Sequence, residues 1–349
     1  FRCTPTGDGD FRVDIPSWRP DSEREIDVIE EVARHHGYRQ IARTMPPVSR
    51  VGGLNPYQRD RRLVRDILVG AGLAEAWATT FLAPEDLVRA GLPVDAVEVE
   101  NPLAAEESIL RPSLLPGLLR AVAVNAGHRR PDVGLFEIGH VFLPPDGAAE
   151  QLPVEPERLA VALGQRDAAD AVRIWRGLVD GLRLADVRME AAARPGLHPT
   201  RSDRLVAGGQ EVGAIGEVDP QVLAAHGIEG RVGWFEVDLG QLLASPRHPA
   251  VYRPVSRFPS ADIDLAFVVD DGTPAAAVEH TLCRAAGDLL ERIELFDVFR
   301  GPQLPGGRSL AWRLRFSSLD HTLTEDELTA LRLRCIEAVT AAHPARLRG

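Results

Sequence analysis

Hydrophobic and polar positions alternate most regularly near the C-terminal end, where Ile263, Leu265, Phe267 and Val269 are spaced as one face of a half-buried strand. Helical spacing follows over 273–287, strand alternation returns at 293–299 and 309–316, a long amphipathic helix is predicted over 324–342, and 345–348 reads as a last short strand. The order βαββαβ predicts a four-stranded sheet with both helices on one face. Trp312, Leu314 and Phe316 would then face the helices and Arg313 and Arg315 the open side.

In the middle of the chain, helical spacing at 57–71, 114–126 and 171–184 mixes with strand patterns around Trp77 and at 133–142, 159–163, 205–218 and 231–237. Strands outside strict βα alternation predict an antiparallel α+β domain and disfavour a doubly wound nucleotide fold. The glycines at 208, 209, 213 and 216 have alternating flanks and no helix after them, so they predict a hairpin instead of a phosphate cradle. At the start, Phe11-Arg12-Val13-Asp14-Ile15 alternates as a strand and the prolines at 16 and 20 break it. Ser22 and Glu25 stand at capping-box spacing ahead of Ile26, Ile29 and Ala33, and Gly37 is placed to stop that helix. Proline and glycine runs predict linkers at 45–53 and 245–254 and an exposed loop at 144–156.

Composition narrows the function classes. The 349 residues, 44% hydrophobic and 26% charged, give room for two or three domains with their own cores. All 40 basic residues are arginine, so neither a Walker-type phosphate loop nor Schiff-base chemistry can be built without the lysine each needs. A net charge of −11 argues against coating nucleic acid through bulk positive charge and leaves room for local basic faces. Cys3, Cys283 and Cys335 form no CxxC pair, which removes a zinc ribbon or disulfide framework and makes the cytoplasm the simplest compartment. No apolar run approaches the ~18 residues of a membrane span, so no membrane partner is expected. The chain opens on Phe1 with its first methionine at Met45, as expected of a piece of a longer polypeptide.

Two constellations carry candidate chemistry. Asp27, Glu30 and Glu31 stand at i, i+3 and i+4 on one helix face with Asp21 at its entry, a set of oxygens that suits a hard divalent cation. The same residues also read as a solvated helix face with Glu30 paired to Arg34, and spacing alone favours that reading. Arg313 and Arg315 suit phosphate contacts, or equally a solvated strand surface. The histidines show no paired ligand spacing, and no GxSxG elbow surrounds the serines.

Three segments share one resemblance. The run Pro16-Ser17-Trp18-Arg19-Pro20-Asp21 with Asp27-Val28-Ile29-Glu30-Glu31-Val32-Ala33-Arg34 and Gly37-Tyr38 resembles the winged-helix-like module of bacterial phenylalanyl-tRNA synthetase β subunits. Leu110-Arg111-Pro112-Ser113-Leu114-Leu115-Pro116-Gly117 and Leu135-Phe136-Glu137-Ile138-Gly139-His140 are similar to that family's synthetase-like core. Arg257-Phe258-Pro259-Ser260, Leu295-Phe296-Asp297-Val298-Phe299 and Thr324-Glu325-Asp326-Glu327-Leu328 are similar to its ferredoxin-fold anticodon-binding domain.

The resemblance implies an α+β multidomain chain. Residues 1–47 would be a partial winged-helix-like module, 54–243 a degenerate class II antiparallel core, and 256–349 a ferredoxin-like βαββαβ domain. It also implies an (αβ)2 heterotetramer in which the α subunit joins phenylalanine to tRNA with ATP through an adenylate. This chain would then scaffold α and place tRNA. No catalytic residue is carried over, because the strand at 135–142 has no arginine where a class II site uses one on ATP phosphate. Asp21, Asp27, Glu30 and Glu31 match the four acidic positions of the family's Mg2+ site, shared with α, which reverses the preference for a solvated face. The family's editing and oligonucleotide-binding parts have no counterpart in these residues. Two other expectations compete: a free-standing RNA-binding adaptor without a catalytic partner, and a DNA-binding regulator, which the acidic head disfavours. Residues 252–349 hold 12 Arg against 14 acidic residues, so a few arginines and shape would have to carry any RNA contact.

Overall fold

The computed structural model describes residues 1–45, 52–145, 152–252 and 254–348. The chain divides into two units, 1–247 and 248–349. Residues 46–51 of the linker expected at 45–53 and residues 146–151 of the loop expected at 144–156 lie outside the described residues.

The first unit opens with an antiparallel hairpin of β1 (Arg2–Gly7) and β2 (Asp10–Asp14), followed by α1 (Glu25–His36). The helix begins two residues later than the capping-box reading places it, with Arg24 at the N-cap position in place of Ser22. Ser22 does not cap it: Asp27 Oδ2 accepts hydrogen bonds from the backbone N–H of Glu23 at 2.9 Å and of Arg24 at 2.8 Å, satisfying two donors at the helix entry. The apolar stripe of α1 is open, with Ile26, Ile29 and Val32 all exposed. Among the described residues 1–45, Ser22 alone is buried.

The core follows as α2 (Pro56–Gly70), β3 (Ala74–Glu75), β4 (Phe81–Leu82), α3 (Pro84–Arg89), β5 (Ile109–Leu110), α4 (Leu115–Gly127), β6 (Gly134–His140) and β7 (Glu157–Gly164). It continues with α5 (Ala168–Leu182), β8 (Val187–Ala191), β9 (Leu197–Ala207), β10 (Gln210–Val218), α6 (Pro220–Ala225), β11 (Val232–Asp238) and α7 (Leu239–Ala244). One sheet in the order β3-β6-β7-β11-β10-β9-β8 carries it, antiparallel throughout except for the β3–β6 edge. The glycine-rich segment is the expected hairpin: Gly208 and Gly209, at φ 57° and 80°, turn β9 into β10 as a tight turn of primed type requires. Trp77 lies beyond the two-residue β3, not within a strand.

Helices cover both faces of this sheet. On one side Val64, Leu68, Trp175 and Leu178 from α2 and α5 pack on Phe136, Val161 and Phe235, with Trp175 edge-on to Phe235 at 5.7 Å. On the other, Leu118, Leu119 and Val122 of α4 pack over Leu135, Ala160, Ala162 and Trp234. The alanines on β7 leave room for the helix to approach the sheet.

The second unit runs β12 (Ala261–Asp270), α8 (Ala275–Ala286), β13 (Leu290–Phe299), β14 (Gly307–Phe316), α9 (Glu325–Ala342) and β15 (Ala345–Leu347), the βαββαβ order expected from the periodicity. The sheet order is β13-β14-β12-β15. Phe267, Trp312, Leu314 and Phe316 are fully buried and pack with Val278, Leu282, Leu331, Cys335 and Val339 of the two helices. Thr324 caps α9, its side chain accepting from the Glu327 backbone while Glu327 reaches back to the Thr324 backbone N–H at 2.8 Å.

Candidate functional site

The acidic positions of the head lie near one another but are already engaged. Arg19 donates from Nε to Asp21 Oδ1 at 2.9 Å and from Nη2 to Asp21 Oδ2 at 2.7 Å and Glu31 Oε1 at 2.7 Å. Arg34 holds the other Glu31 oxygen at 2.5 Å. The Arg19 and Arg34 guanidinium groups hold the Glu31 carboxyl down to about 2, and Arg19 holds Asp21 below the usual carboxylate range. Asp27 is held low by the two backbone N–H groups it accepts. Glu30 is exposed and makes no hydrogen bond or ion pair among the described residues.

No group of three or more His, Cys, Asp or Glu among the described residues is arranged to hold a metal ion. The four residues therefore do not fit a divalent cation as they stand. Asp21 and Glu31 would have to exchange a guanidinium for it, and Asp27 its backbone donors. The expected Glu30–Arg34 pair is replaced by Glu31–Arg34.

A second constellation, missed in the sequence, lies on the α4 face of the core sheet. Glu137 on β6 and Glu236 on β11 both stand opposite Ala160 of β7, one on each side. Arg111 Nη1 meets Glu137 Oε1 at 2.6 Å, and its Nε donates to the His140 carbonyl at 2.9 Å. Ser113 Oγ donates to Glu236 Oε2 at 2.7 Å, joined by the Leu114 backbone N–H at 3.3 Å. Burial pushes both carboxyls up, against the pull of Arg111 on Glu137 and chiefly of Arg158 on Glu236. The available signal was a lone glutamate inside each of two otherwise apolar strands. Beside this network a cleft of about 640 Å³ is lined by Arg61, Arg65, Trp77, Arg111, His140 and Glu157.

In the second unit, Arg313 and Arg315 lie on the sheet face away from the helices, and each is answered across the ladder. Arg313 donates to both Asp264 oxygens at 2.8 and 2.7 Å, and Arg315 to both Asp262 oxygens at 2.8 and 2.9 Å. Those are directly opposed positions of β12 and β14. The arginines hold both aspartates below the usual range. A bulge between Leu295 and Asp297 brings Phe296, half exposed, under the Arg313 guanidinium at 5.1 Å. Sequence alternation could not show this aromatic, because the bulge resets the strand's phase.

Comparison with known proteins adds the family. The Phenylalanyl tRNA synthetase beta chain CLM domain matches residues 41–239, more than half of the chain. The chain belongs to the phenylalanyl-tRNA synthetase β-chain family. The tRNA synthetase B5 domain matches residues 1–38 and the Ferredoxin-fold anticodon binding domain residues 256–348. The phenylalanine-tRNA ligase beta subunit of Moorella thermoacetica is 39% identical over 98% of this chain and 45% of its own length. That of Geobacillus kaustophilus is 36% identical over 98% of this chain and 44% of its own. The chain thus spans less than half the length of these β subunits. A solved pyrrolysyl-tRNA synthetase from Desulfitobacterium hafniense superposes with a TM-score of 0.45 at 13% identity, covering 54% of this chain and 68% of that one. Within the β-chain family, the acidic helix lies in the B5 match, the buried glutamates in the CLM match and the paired arginines in the anticodon-binding match.

Proposed function

We propose that this chain is a non-catalytic part of the β subunit of a phenylalanine-tRNA ligase. It holds the α subunit in an (αβ)2 heterotetramer in the cytoplasm and positions tRNA, while α joins phenylalanine to that tRNA with ATP. The observation that carries this reading is the succession of B5, CLM and anticodon-binding matches along one chain. The modules take the bounds 1–47, 54–243 and 256–349. The core supports a scaffolding role, because Glu137 and Arg111 close the α4 face of its sheet with a buried ion pair. In the tail, Arg313 and Arg315 contact tRNA phosphates by exchanging Asp264 and Asp262 for phosphate oxygens, a swap of one bidentate acceptor for another. Mg2+ shared with α would be held by Asp21, Asp27, Glu30 and Glu31 only after Arg19 has left them, and no step of the function is routed through it.

The test is to mix the purified chain with the α subunit of a bacterial phenylalanine-tRNA ligase and follow co-elution and tRNA-dependent aminoacylation. Co-elution at a mass of two α and two β chains is expected. A chain that stays alone beside α yet binds tRNA would overturn the reading in favour of a free-standing RNA-binding adaptor.

A further inference from the structure

Among the described residues, Arg158, Arg194 and Arg308 each have a buried Nε without a hydrogen-bond partner. Arg194 still donates to Glu211, and Arg308 to the Thr273 carbonyl, through another nitrogen. Arg158 makes no hydrogen bond or ion pair with any described residue. It stands on β7, inside the sheet, where a part-buried guanidinium without a partner is costly. Carboxylates are not lacking around it. Asp238 lies directly opposite on β11, but its oxygens accept from the Gln241 backbone at 2.9 Å and side chain at 3.4 Å at the start of α7. Glu236 holds Ser113 and the Leu114 N–H, and Glu137 holds Arg111. Each acid is committed, and the arginine is left over.

On the other flank of Arg158, its register partner on β6 is Gly139. A Cβ at 139 would collide with Arg111 Nη2, so the glycine is what lets that nitrogen lie against the strand. Arg111 is 5% exposed; its Nε and Nη1 are spent on His140, Ala78 and Glu137, while Nη2 makes no hydrogen bond. Opposed residues of an antiparallel pair share one face of the sheet, so both guanidinium groups stand beside Gly139 on the α4 side. Solvent reaches this end of the face. Gly139, Arg158 and Asp238 are part-exposed, whereas Ala160, two residues along β7 and under α4, is fully buried.

We propose that Arg158 and Arg111 form an oxyanion site over Gly139 that takes the carboxylate or phosphate head of a small molecule. Guanidinium groups offer N–H donors and no acceptor, so the ligand must bring the oxygens, and carboxylate and phosphate both match a guanidinium edge. The Arg111–Glu137 pair stays in place, since only Nη2 is offered to the ligand. Arg111 and Gly139 also line the cleft of about 640 Å³, which leaves room for the body of such a molecule. The proposal goes beyond the function above and does not depend on it, because it concerns the core of this chain alone.

Equilibrium dialysis of the 349-residue chain against radiolabelled inorganic phosphate, in a chloride-free buffer, tests this. Saturable uptake is expected, and Arg158→Met should weaken it by roughly tenfold or more, the size of a lost charge-assisted hydrogen bond. Gly139→Ala should weaken it too, because the methyl group drives Arg111 off the strand, while Arg130→Met, on an exposed arginine after α4, should leave it unchanged. Acetate that displaces phosphate at similar concentration marks a carboxylate head, and acetate without effect marks a phosphate one. Chloride competing as strongly as unlabelled phosphate would mean an adventitious ion only and overturn the site. Absent uptake, or uptake unchanged in Arg158→Met, would do the same. If Arg158→Met fails to fold, judged by circular dichroism, the unmodified chain with isotope-labelled arginine decides. The Arg158 Nε–H signal, assigned by its absence from Arg158→Lys, should then move with phosphate at the half-saturation found by dialysis. A signal that stays in place counts against the proposal.

Discussion

In the core, Arg111 and Glu137 meet at 2.6 Å with 6% and 1% of their side chains exposed; in the tail, Arg313 and Asp264 meet at 2.7 Å with 49% and 46% exposed. The pairing chemistry is the same and the consequences differ, because water sets them. In the core, desolvation outweighs the Arg111 attraction and the Glu137 carboxyl is pushed up; in the tail, the attraction wins and Asp264 is pulled down. A sealed pair is costly to break, since removing one partner strands the other charge. An exposed pair contributes little to stability and can trade partners at low cost. The core network therefore reads as architecture and the tail pairs as a surface able to accept a new anion.

The largest effect should come from breaking the sealed pair. Arg111→Met leaves Glu137 buried without its partner and should cost ~3–5 kcal/mol in urea unfolding of the first unit. Pairing it with Glu137→Leu should recover most of that loss. A single variant no more damaging than a surface change would mean that the network is wet, and the contrast with the tail would collapse. Ser113→Ala should cost less, ~1–3 kcal/mol, by leaving a Glu236 oxygen without its hydroxyl donor. The same denaturation curves measure it.

How much of this was legible in the sequence differs by region for physical reasons. The tail was nearly all readable, because its strands bury one face and its helices one stripe, so burial writes a clean period into the residues. In the core, α3, α6 and α7 are six residues each, too short for a helical period to show. In the head, the four acidic positions were plain, but their partner was not: Arg19 reaches Glu31 across 12 residues, and no spacing rule links a loop guanidinium to a helix carboxylate. The capping reading failed because Asp27 accepts the donors that Ser22 was expected to satisfy, which leaves the Ser22 hydroxyl to turn toward Arg19. Glu137 and Glu236 were visible as misfits in apolar strands, yet only tertiary packing supplies Arg111 and Ser113 as their partners.

On the tail, the contrast is sharpened by moving charge in both directions. Arg313→Glu with Arg315→Glu should weaken tRNA binding by roughly tenfold or more and flatten its salt dependence, read by anisotropy titrations across ionic strength. Asp262→Asn with Asp264→Asn should do the reverse, freeing both guanidinium groups and raising affinity. The aspartate variants should change stability by no more than ~1 kcal/mol for each pair, as expected of exposed ion pairs. Unchanged tRNA affinity in both double variants would return these arginines to an ordinary solvated strand.

Acid should separate the two regions by sign. Glu137 and Glu236 have raised carboxyls, so their contribution to stability is present below the ordinary value of 4.5 and lost as pH rises through their folded values. Glu327 is held down to about 2, first by the Thr324 backbone N–H and then by His321, so its contribution is present above 4.5 and lost as pH falls toward 2. Lowering the pH from 4.5 toward 2 should therefore loosen the first turn of α9 through this group while relieving the buried carboxyls of the core. Hydrogen exchange at 325–328, followed through that window, should rise in the unmodified chain. In Glu327→Gln the exchange should start higher and change little with pH, because the amide can still accept from the Thr324 N–H but carries no charge to lose. The effect is small, since the group is exposed and a single helix turn is at stake. A pH profile identical in both chains would show that the cap is not what acid removes.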